Sequence, residues 1–591
     1  MRVLGLYDDH NCGATVVEDG KILAAIEEER LSRIKLHNGT GEDGPPWRSL
    51  EAVLNITNSS VSNIDRIAIA IQPPNALMKY VLKDLVLQKN FKWFISSFVT
   101  RSPRWDNYWF LYPLFYNWWR IVRVKRLLKR YGLEKTPIDF VDHHTAHAAS
   151  AYYVRGLEKA MVFTLDGQGD GLCGGVYLGK DTQLKSLDVA SSYNSPGLFY
   201  NLITWMLGFK PNRHEGKITG LAAHGDYEKV KHIFDDLFSI NGKGEFSYNL
   251  AKRTLWHHPY PHRTNYPRFV EQFKSQINGY SREDIAAGVQ VHSERVVAHW
   301  IAHYLKGMEN VDLCLAGGVF ANVRINQKIA ELDNVRSVFI FPAMGDGGLS
   351  TGAALYSYFN ENSPAALDRK VVPLKDVYLG PGYSNEEIVA ELKKANVEYK
   401  HYDKVEPEIA RILAAGHVVA RFNGRMEFGP RALGNRSILY QPTDPTVNDW
   451  LNEKLHRTEF MPFAPVTLKE HTDASYHSVG NNDMPAMYMT ITFDCSSKMK
   501  EKCPAVVHVD GTARPQLVTD ESNKSYYSIL KEYQKLTGLS SIINTSFNMH
   551  EEPIVCSPGD AIRAFQLGHL EYLAIGDFIV KNEDAVKEHS A

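Results

Sequence analysis

The sequence predicts an α/β protein with a duplicated N-terminal part followed by a second α/β domain. With 591 residues the chain is too long for one hydrophobic core, so two to four domains are expected. A buried strand, a turn rich in Asp and Gly, and a returning strand occur twice, near residues 2–18 and 160–179. This recurrence indicates an internal duplication. A third buried strand, Val311–Ala316, leads into a Gly-Gly pair.

Hydrophobic runs and turn residues define the individual elements. The strands expected in the two units, in chain order, are 2–7, 14–18, 21–27, 160–165 and 174–179. In the first unit, residues 8–13 form the turn after the buried strand, and Asp19-Gly20 joins the two strands that follow. Residues 166–171 form the turn of the second unit. Residues 320–332 are expected to be helical. A polar break near 360–375 then separates a domain at 1–365 from one at 375–591.

One segment, at about residues 85–132, does not fit the duplicated plan. Residues 89–130 carry ten Lys and Arg against one acid, Asp106, together with thirteen aromatic residues. The apolar run 108–119 is shorter than the ~20 residues that span a bilayer. Residues 120–130 suit either a helical cap that packs on the protein or a basic helix at a membrane surface. We favour the cap.

Composition narrows the class of protein. A formal net charge of −2 excludes a global nucleic-acid-binding field, although a local basic patch remains open. The six cysteines are scattered without a CxxC pair, which predicts reduced thiols and no zinc site of that type. The N-terminus leads directly into a strand rather than a secretory leader. We therefore expect a cytoplasmic protein without a transmembrane segment.

A histidine-rich segment suggests a metal site. His143 and His147 are four residues apart, which places both imidazoles on one face of a helix. His144 is three residues from His147 and leaves the register open, and a helical histidine pair is also often a hydrogen-bonded surface feature. Asp166 and Asp346, in turns after strands, are candidate oxygen ligands. Two imidazoles with two carboxylates suit iron, manganese or zinc better than magnesium.

Residues 423–437 predict an anion site. They contain three arginines separated by glycines: Arg425, Arg431 and Arg436. A guanidinium group matches the oxygens of phosphate or carboxylate, and glycine allows close approach of the backbone. Glu427 is the one acid in the stretch, so pairing of the arginines with nearby acids is the weaker interpretation. A phosphorylated substrate fits better.

The turns after the strands suggest a nucleotide-binding fold. Amide groups in such turns point inward and can hold phosphates. Two of these turns, with Gly317-Gly318 after the third strand, indicate the nucleotide fold of the actin, sugar-kinase and Hsp70 group, known as ASKHA.

Motifs along nearly the whole chain resemble the NodU/TobZ type of O-carbamoyltransferase. The N-terminal motifs are His143-x-x-x-His147, Asp166-Gly, 215–223, 317–322 and 345–347. The C-terminal motifs are 424–437, 460–465, 508–516 and 544–548. They occur in the order of that family, and the insertion at about 85–132 stands outside the match.

The resemblance implies a TsaD-like ASKHA domain joined to a YrdC-like domain. In such enzymes the YrdC-like part binds carbamoyl phosphate and ATP, with Mg²⁺, and produces carbamoyl adenylate. The TsaD-like part passes the carbamoyl group to a hydroxyl of a small-molecule acceptor, a natural product or sugar, with a divalent metal described as Fe(II). Manganese and zinc stay open, as does a homodimer. No nucleic-acid partner is expected.

The resemblance also implies roles for single residues. His143, His147, Asp166 and Asp346 become metal ligands, and His10 becomes the general base for the acceptor hydroxyl. Catalytic roles fall to Arg431 and Arg514. The remaining substrate and nucleotide-binding positions are Lys217, Gly220, Gly317, Gly318, Asn322, Arg425, Arg436, Lys454, Arg457, Thr512, Asn544, Ser546 and Asn548. Around Lys454 and Arg457 the chain departs from the family pattern, which reads Lys-x-Arg-Glu and then Phe-Arg-Pro-Phe.

Two other functions stay open at this point. A tRNA threonylcarbamoyl-transfer protein combines the same domain types, but no basic tRNA-binding arm occurs outside 89–130. A non-catalytic sensor or scaffold on a kinase-like fold would not need His10 together with the four expected metal ligands. O-carbamoyl transfer is therefore the favoured prediction.

Overall fold

A computed structural model of the chain describes residues 1–76, 112–235, 237–248, 273–361, 368–455 and 463–590. The strands of its N-terminal part are β1 (Arg2–Tyr7), β2 (Gly13–Glu18), β3 (Lys21–Glu27), β4 (Arg66–Ala70), β5 (Ile138–Val141), β6 (Lys159–Gly169), β7 (Leu172–Lys180), β8 (Gln183–Ser191), β9 (Phe238–Ile240), β10 (Phe246–Tyr248), β11 (Val311–Ala316) and β12 (Val335–Ile340). The helices are α1 (Glu28–Ser32), α2 (Trp47–Ile56), α3 (Tyr112–Arg130), α4 (His143–Tyr152), α5 (Pro196–Met206), α6 (Glu215–Ala222), α7 (Tyr227–Phe234), α8 (Arg282–Tyr304), α9 (Val323–Ala330) and α10 (Leu349–Phe359).

Two five-stranded sheets in this part have the same connectivity. Their strand orders are β3-β2-β1-β4-β5 and β8-β7-β6-β11-β12. In each sheet the first strand in sequence pairs antiparallel with the next strand and parallel with a later one. The repeated topology confirms the predicted α/β class and the duplicated, actin-like architecture.

The two hairpins turn at different places relative to the prediction. The first turns at Asp19-Gly20, as expected, and both residues have positive φ. In the second, β6 continues to Gly169 and the turn lies at Asp170-Gly171, so the predicted turn at 166–171 is too long. The register of the β6–β7 pairing shifts between Leu165 and Gly169, as in a β-bulge, and pairing resumes at Gly169 with Leu172.

Two helices pack against each other between the sheets. Helix α4 follows β5, and α10 follows the last strand of the second sheet. Their contact is close because Gly352 of α10 lies against Ala146 of α4, where a Cβ would come within 1.8 Å of the Ala146 carbonyl oxygen. The fold therefore fixes α4, which carries the histidine pair, at the centre of the N-terminal part.

The predicted helix 320–332 begins later than expected. Gly318–Ala321 form a short 3₁₀ turn, and α9 begins at Val323. The side chain of Asn322 accepts hydrogen bonds from the amides of Arg324 and Ile325, both at 3.2 Å, and so caps the helix.

The C-terminal part is a second α/β unit. Its strands are β13 (Lys400–His401), β14 (Val419–Phe422), β15 (Arg436–Tyr440), β16 (Ala464–Leu468), β17 (Phe493–Asp494), β18 (Thr512–Ala513), β19 (Gln516–Val518), β20 (Ser541–Ser546), β21 (Tyr572–Ile575) and β22 (Phe578–Lys581). Eight of them form a mixed sheet in the order β13-β22-β21-β14-β15-β20-β16-β19. The helices are α11 (Asn385–Lys394), α12 (Glu406–Ala414), α13 (Val447–Lys454), α14 (Thr472–Ser475), α15 (Asp483–Met487), α16 (Ser497–Lys502), α17 (Lys524–Thr537), α18 (Pro558–Leu567) and α19 (Glu583–Ser590).

Helix α3 is the described end of the predicted insertion. Val124, Leu127 and Leu128 are buried and pack with the core of the first sheet, in agreement with the favoured cap interpretation. The rest of the insertion, residues 77–111, lies outside the described residues, so membrane-surface contact through 89–130 stays a prediction. Within the described ranges, no helix is both long enough and apolar enough to cross a membrane.

Candidate active site

Four side chains from three elements converge between the sheets. His143 and His147 come from α4, Asp166 follows the regular part of β6, and Asp346 lies in the loop before α10. Their potential ligand atoms all lie within 4.8 Å of one another. His147 Nε2 lies 3.1 Å from His143 Nε2, 3.2 Å from Asp166 Oδ2 and 3.6 Å from Asp346 Oδ1.

The grouping fits a bound divalent cation. Ligand atoms that each bind one ion at about 2.1 Å lie roughly 3–3.4 Å apart, close to the separations found here. Two imidazoles and two carboxylates are ligand types that iron, manganese and zinc accept. His144 does not join them, since its Nδ1 lies 3.0 Å from the Thr164 hydroxyl. The structure thus resolves the register that the sequence left open, in favour of His143 with His147.

The charges of the group are strongly coupled. Burial lowers the pKa of His143, but the carboxylates of Asp346 and Asp166 outweigh burial and raise that pKa to about 9. Burial raises the pKa of Asp166, but hydrogen bonds and charge from both histidines hold it well below its usual value. For His144, burial and the neighbouring histidines lower the pKa, which favours the neutral ring.

Surrounding groups hold these side chains in place. The Tyr7 hydroxyl donates to Asp346 Oδ2 at 3.0 Å. Asp170 Oδ2 accepts from the His143 amide at 3.0 Å. A Cβ at Gly318 would lie 3.0 Å from Asp166 Oδ1, so the glycine allows this carboxylate to sit against the backbone. Tyr7 and Asp170 carry no signal of this role in the sequence, apart from the place of Asp170 in the Gly-rich turn at 166–171.

The predicted general base lies in the first turn. His10 follows β1 directly after Asp8 and Asp9, and its amide donates to Asp9 Oδ1 at 2.9 Å. Its side chain is half-buried and does not belong to the four-residue group. Its role as a base stays a prediction.

The arginine loop is organised by Glu427. One oxygen of this buried carboxylate accepts from the amides of Leu433 at 2.8 Å, Asn435 at 2.8 Å and Arg436 at 3.0 Å. The acid therefore bonds the backbone of the loop and forms no ion pair with Arg425, Arg431 or Arg436, although its charge partly offsets the effect of burial on the pKa of Arg436. This supports the preference for a ligand over simple pairing of the arginines with a nearby acid.

Two of the arginines bond main-chain oxygens. Arg425 donates to the carbonyls of Gly380 and Leu23, both at 3.0 Å. Arg436 donates to Asn423 at 2.6 Å and also lies 3.7 Å from the Phe422 ring centroid. These bonds hold the loop in place, and the predicted contact of both arginines with a ligand stays a prediction.

Arg431 and Arg514 differ from these two. The Nη atoms of Arg425 and Arg436 donate to main-chain oxygens, whereas neither Arg431 nor Arg514 forms a hydrogen bond or ion pair with a described residue. The Nε atoms of Arg431 and Arg514 are buried and without a partner. Burial lowers the pKa of Arg431 to about 10. For Arg514, burial and the charge of Arg431 lower the pKa well below its usual value. Both side chains are half-buried. Cations held partly away from water without a counter-charge are costly, so the pair forms a candidate anion site.

The arginine loop contacts the loop that carries Asp346. The rings of Phe428 and Phe341 lie 6.4 Å apart, and Arg30 donates to the Gly429 carbonyl at 2.9 Å. Gly429 has φ 111°, and a Cβ there would lie 3.0 Å from the Pro342 carbonyl oxygen. We call His143, His147, Asp166 and Asp346 the metal-type group. The loop of Arg431 thus packs directly against the loop that carries Asp346 of this group.

Other predicted residues of the C-terminal part lie around β18 to β20. Asn544 donates to Gln516 Oε1 at 2.7 Å and to the Ala432 carbonyl at 3.1 Å, which ties it to the arginine loop. Thr512 bonds Asp510, and Asn548 donates to the carbonyls of Met549 and Glu552. Ser546 ends β20, Lys454 ends α13, and Arg457 lies outside the described residues.

The predicted nucleotide residues of the N-terminal part gather near α6 and α9. Lys217 and Gly220 belong to α6. The side-chain amide of Asn322 donates to the hydroxyl of Thr219, on the same helix, at 3.3 Å. Gly317 has φ 108°, and a Cβ there would meet the Leu165 carbonyl oxygen at 2.3 Å. The glycine pair thus lets the chain turn tightly beside Asp166.

Comparison with known proteins identifies the family. The model described as carbamoyltransferase N-terminus matches residues 2–355, and that described as carbamoyltransferase C-terminus matches residues 410–582. The chain belongs to the carbamoyltransferase family. The predicted resemblance is confirmed, and the protein is a carbamoyltransferase enzyme.

Relatives align with this carbamoyltransferase along most of its length. An uncharacterized protein of Synechocystis sp. is 32% identical over 97% of this chain and 95% of its own. Nodulation protein NolNO of Sinorhizobium fredii is 31% identical over 98% of this chain and 80% of its own. Nodulation protein U of Bradyrhizobium diazoefficiens is 26% identical over 97% of this chain and 96% of its own. The similarity to these relatives therefore extends over nearly all of this chain.

Proposed function

We propose that this carbamoyltransferase is an ATP-dependent O-carbamoyltransferase. Carbamoyl phosphate and ATP would react near Arg431 and Arg514, and the carbamoyl group would pass to an acceptor hydroxyl near His143 and His147. The observation that carries the proposal is the half-buried arginine pair without a counter-charge. The loop of Arg431 packs against the loop that carries Asp346 of the metal-type group.

The first half-reaction suits an arginine pair. Carbamate is a poor donor because its nitrogen feeds electrons into the carbonyl group. Water first hydrolyses carbamoyl phosphate to carbamate and inorganic phosphate. A carbamate oxygen then attacks the α-phosphorus of ATP and expels pyrophosphate. Carbamoyl adenylate results. Negative charge develops on phosphate oxygens in these steps, and fixed guanidinium groups stabilise it without reorganising.

The second half-reaction needs a base and a fixed acceptor. His10 would take the proton of the acceptor hydroxyl, whose oxygen forms a bond to the carbamoyl carbon as AMP leaves. His143, His147, Asp166 and Asp346 would hold the divalent metal, and when bound it would supply charge that polarises the carbonyl or neutralises the leaving phosphate. Packing of the two loops would keep the hydrolysable adenylate from bulk water.

The remaining sequence expectations belong to this proposal. Lys217, Asn322, Lys454 and Asn544, with the other implied binding positions, would contact the nucleotide or carbamoyl phosphate. Adenylate formation would lie in 375–591 and transfer in 1–365. The proposed metal is iron, with manganese and zinc as alternatives, and the proposed location is cytoplasmic.

Product analysis tests the proposal. The full-length enzyme is incubated with carbamoyl phosphate and ATP, and pyrophosphate is measured. We expect pyrophosphate that depends on both substrates; its absence would refute the proposal and favour a scaffold. Candidate alcohols from the aminoglycoside, macrolide, lipo-oligosaccharide and guanidinium-toxin classes are then screened by mass spectrometry for a gain of one carbamoyl group. A threonylcarbamoyl product would instead favour the tRNA-modifying alternative.

A further inference from the structure

We propose that helix α3 positions the metal-type group through Asn117 and Arg120, in a role separate from packing. The inference rests on the proposed function for its catalytic meaning, but its evidence is the set of polar contacts on one buried turn of the helix. Both side chains are almost fully buried, and neither contacts the four candidate ligands directly.

Arg120 holds the strand end that precedes His10. Its Nε and Nη2 donate to Asp8 Oδ1 at 3.0 and 2.7 Å, and its Nη1 lies 3.5 Å from Asp9 Oδ2. Tyr116, one turn earlier, donates to the same Asp9 oxygen at 2.9 Å. Burial raises the pKa of Asp8 and the charge of Arg120 opposes that rise. Without Arg120, a fully buried carboxylate would lose its counter-charge.

The guanidinium group of Arg120 is also linked to the candidate ligand Asp346 through Tyr7. It lies 5.3 Å from the centroid of the Tyr7 ring, and the Tyr7 hydroxyl donates to Asp346 Oδ2 at 3.0 Å. The position of Tyr7, and with it that of Asp346, is therefore set partly by Arg120. Groups that orient metal ligands in this way typically contribute about 10- to 100-fold to metal affinity.

Asn117 reaches the other side of the group. Its side-chain amide donates to Asp170 Oδ1 at 2.6 Å and to the Gln72 carbonyl at 3.0 Å. Asp170 Oδ2 in turn accepts from the amide of His143 at 3.0 Å, at the first residue of α4. One helix turn thus supports the group at two points, Asp346 and His143.

The opposite half of α3 provides a matched control. Leu128 is fully buried in the apolar core of the first sheet. Leu128→Ala removes apolar packing from the same helix and should lower the free energy of unfolding by about 2–5 kcal/mol. It leaves the polar contacts of Asn117 and Arg120 in place. A variant that weakens the helix only through packing can therefore be compared with variants that remove the polar contacts.

The test measures binding of Mn²⁺ alone to the full-length protein by titration calorimetry, alongside thermal unfolding. We expect Asn117→Leu and Arg120→Gln to raise the Mn²⁺ dissociation constant about tenfold or more. Arg120→Lys, which keeps the charge but not the planar fork, should lose less. Leu128→Ala should lower the unfolding temperature and leave the dissociation constant unchanged.

The outcomes separate the alternatives. An unchanged dissociation constant in folded Asn117→Leu and Arg120→Gln would overturn the inference, and so would an equal loss in Leu128→Ala. If Arg120→Gln does not fold, Asn117→Leu and Arg120→Lys decide. Pyrophosphate release from carbamoyl phosphate and ATP is measured on the same samples. Its absence in the wild-type protein would count against the proposed function and leave the metal comparison valid.

Discussion

Arg514 lies beside Arg431, and the charge of Arg431 adds to burial in lowering the pKa of the Arg514 guanidinium group. Without an anion, the two groups destabilise each other's charged form. A bound phosphate would provide the missing counter-charge and bring both pKa values back toward those of ordinary arginines. Ligand binding and relief of this repulsion are therefore the same event.

Replacing Arg431 should slow adenylate formation selectively. Arg431→Ala removes a charge-assisted contact of about 1.5–3 kcal/mol, which corresponds to roughly ten- to a hundredfold in pyrophosphate release. Transfer from supplied carbamoyl adenylate should persist. Arg411, on the surface of α12 with 65% of its side chain exposed, is the control. Unchanged pyrophosphate release in Arg431→Ala would show that the pocket is wrongly placed.

His147→Ala should affect the other half-reaction. The imidazole is fully buried and close to three other candidate ligands, so its loss leaves an incomplete group. Loss of a group that only hydrogen-bonds a metal ligand typically costs about 10- to 100-fold in activity. Loss of a ligand itself should slow carbamoyl transfer by at least as much, while pyrophosphate release is retained. His299→Ala, at an exposed position of α8, is the control. Equal loss of both half-reactions in folded His147→Ala would contradict the division of labour.

A single methyl group at Gly318 should disturb the metal-type group. Its Cβ would lie 3.0 Å from Asp166 Oδ1, closer than ordinary van der Waals contact, so the carboxylate must move. We expect Gly318→Ala to weaken Mn²⁺ binding measured by calorimetry. At Gly242 a Cβ meets no atom within 4 Å, and Gly242→Ala should bind normally. Equal affinity in the two variants would argue that Asp166 is not held against this glycine.

Glu427→Gln should destabilise the arginine loop. The carboxylate accepts three amide hydrogen bonds through one oxygen, and the neutral amide of Gln makes weaker ones. We expect the free energy of unfolding to fall by about 1.5–3 kcal/mol, measured by urea denaturation. Glu501→Gln, at an exposed position, should have little effect. A stability equal to that of the wild type would mean that the loop forms without this anchor.

The contact of Glu551 with Arg213 and His214 joins the C-terminal part to the N-terminal part and should weaken in acid. Partial burial raises the pKa of Glu551, but the His214 hydrogen bond and the charge of Arg213 lower it to about 2. The pair contributes fully above the ordinary value of 4.5, and its contribution is lost as pH falls from there toward 2. Glu551→Gln should cost less than about 1 kcal/mol near neutral pH and nothing at the acid end, measured by urea denaturation at both. A difference that grows in acid would contradict this.

Much of the metal-type group was predictable because it depends on local rules. A spacing of four residues fixes the shared face of His143 and His147, and strand ends place Asp166 and Asp346 at one edge. Residue spacing alone could not choose between His143 and His144, although the family resemblance implied His143. The physical reason lies in Thr164, whose hydroxyl bonds the His144 ring from another element. The sequence could indicate the candidates but not the contact that separates them.

For the arginines, local sequence rules could not predict which side chains are available to a ligand. Arg425, Arg431 and Arg436 share one loop, one residue type and flanking glycines. Their roles differ because Arg425 meets the carbonyls of Gly380 and Leu23, which are distant in sequence, whereas Arg431 meets no such group among the described residues. Likewise, the basic run in α3 suggested a solvated or membrane-facing surface. Only packing reveals that Arg120 points inward.

The duplication gives the buried salt bridge of Asp8 an evolutionary consequence. Asp8 follows the last regular pair of the β1–β2 hairpin, Tyr7 with Gly13, as Asp166 follows Leu165 with Gly174 in the β6–β7 hairpin. The acids at these equivalent positions therefore lie in different surroundings, since Asp8 pairs with Arg120 and Asp166 lies among His143, His147 and Asp346. If Arg120 is replaced while α3 stays in place, Asp8 remains buried and loses its counter-charge, at a cost of about 3–5 kcal/mol. An uncharged residue at position 8 is therefore expected to accompany any natural replacement of the arginine at position 120.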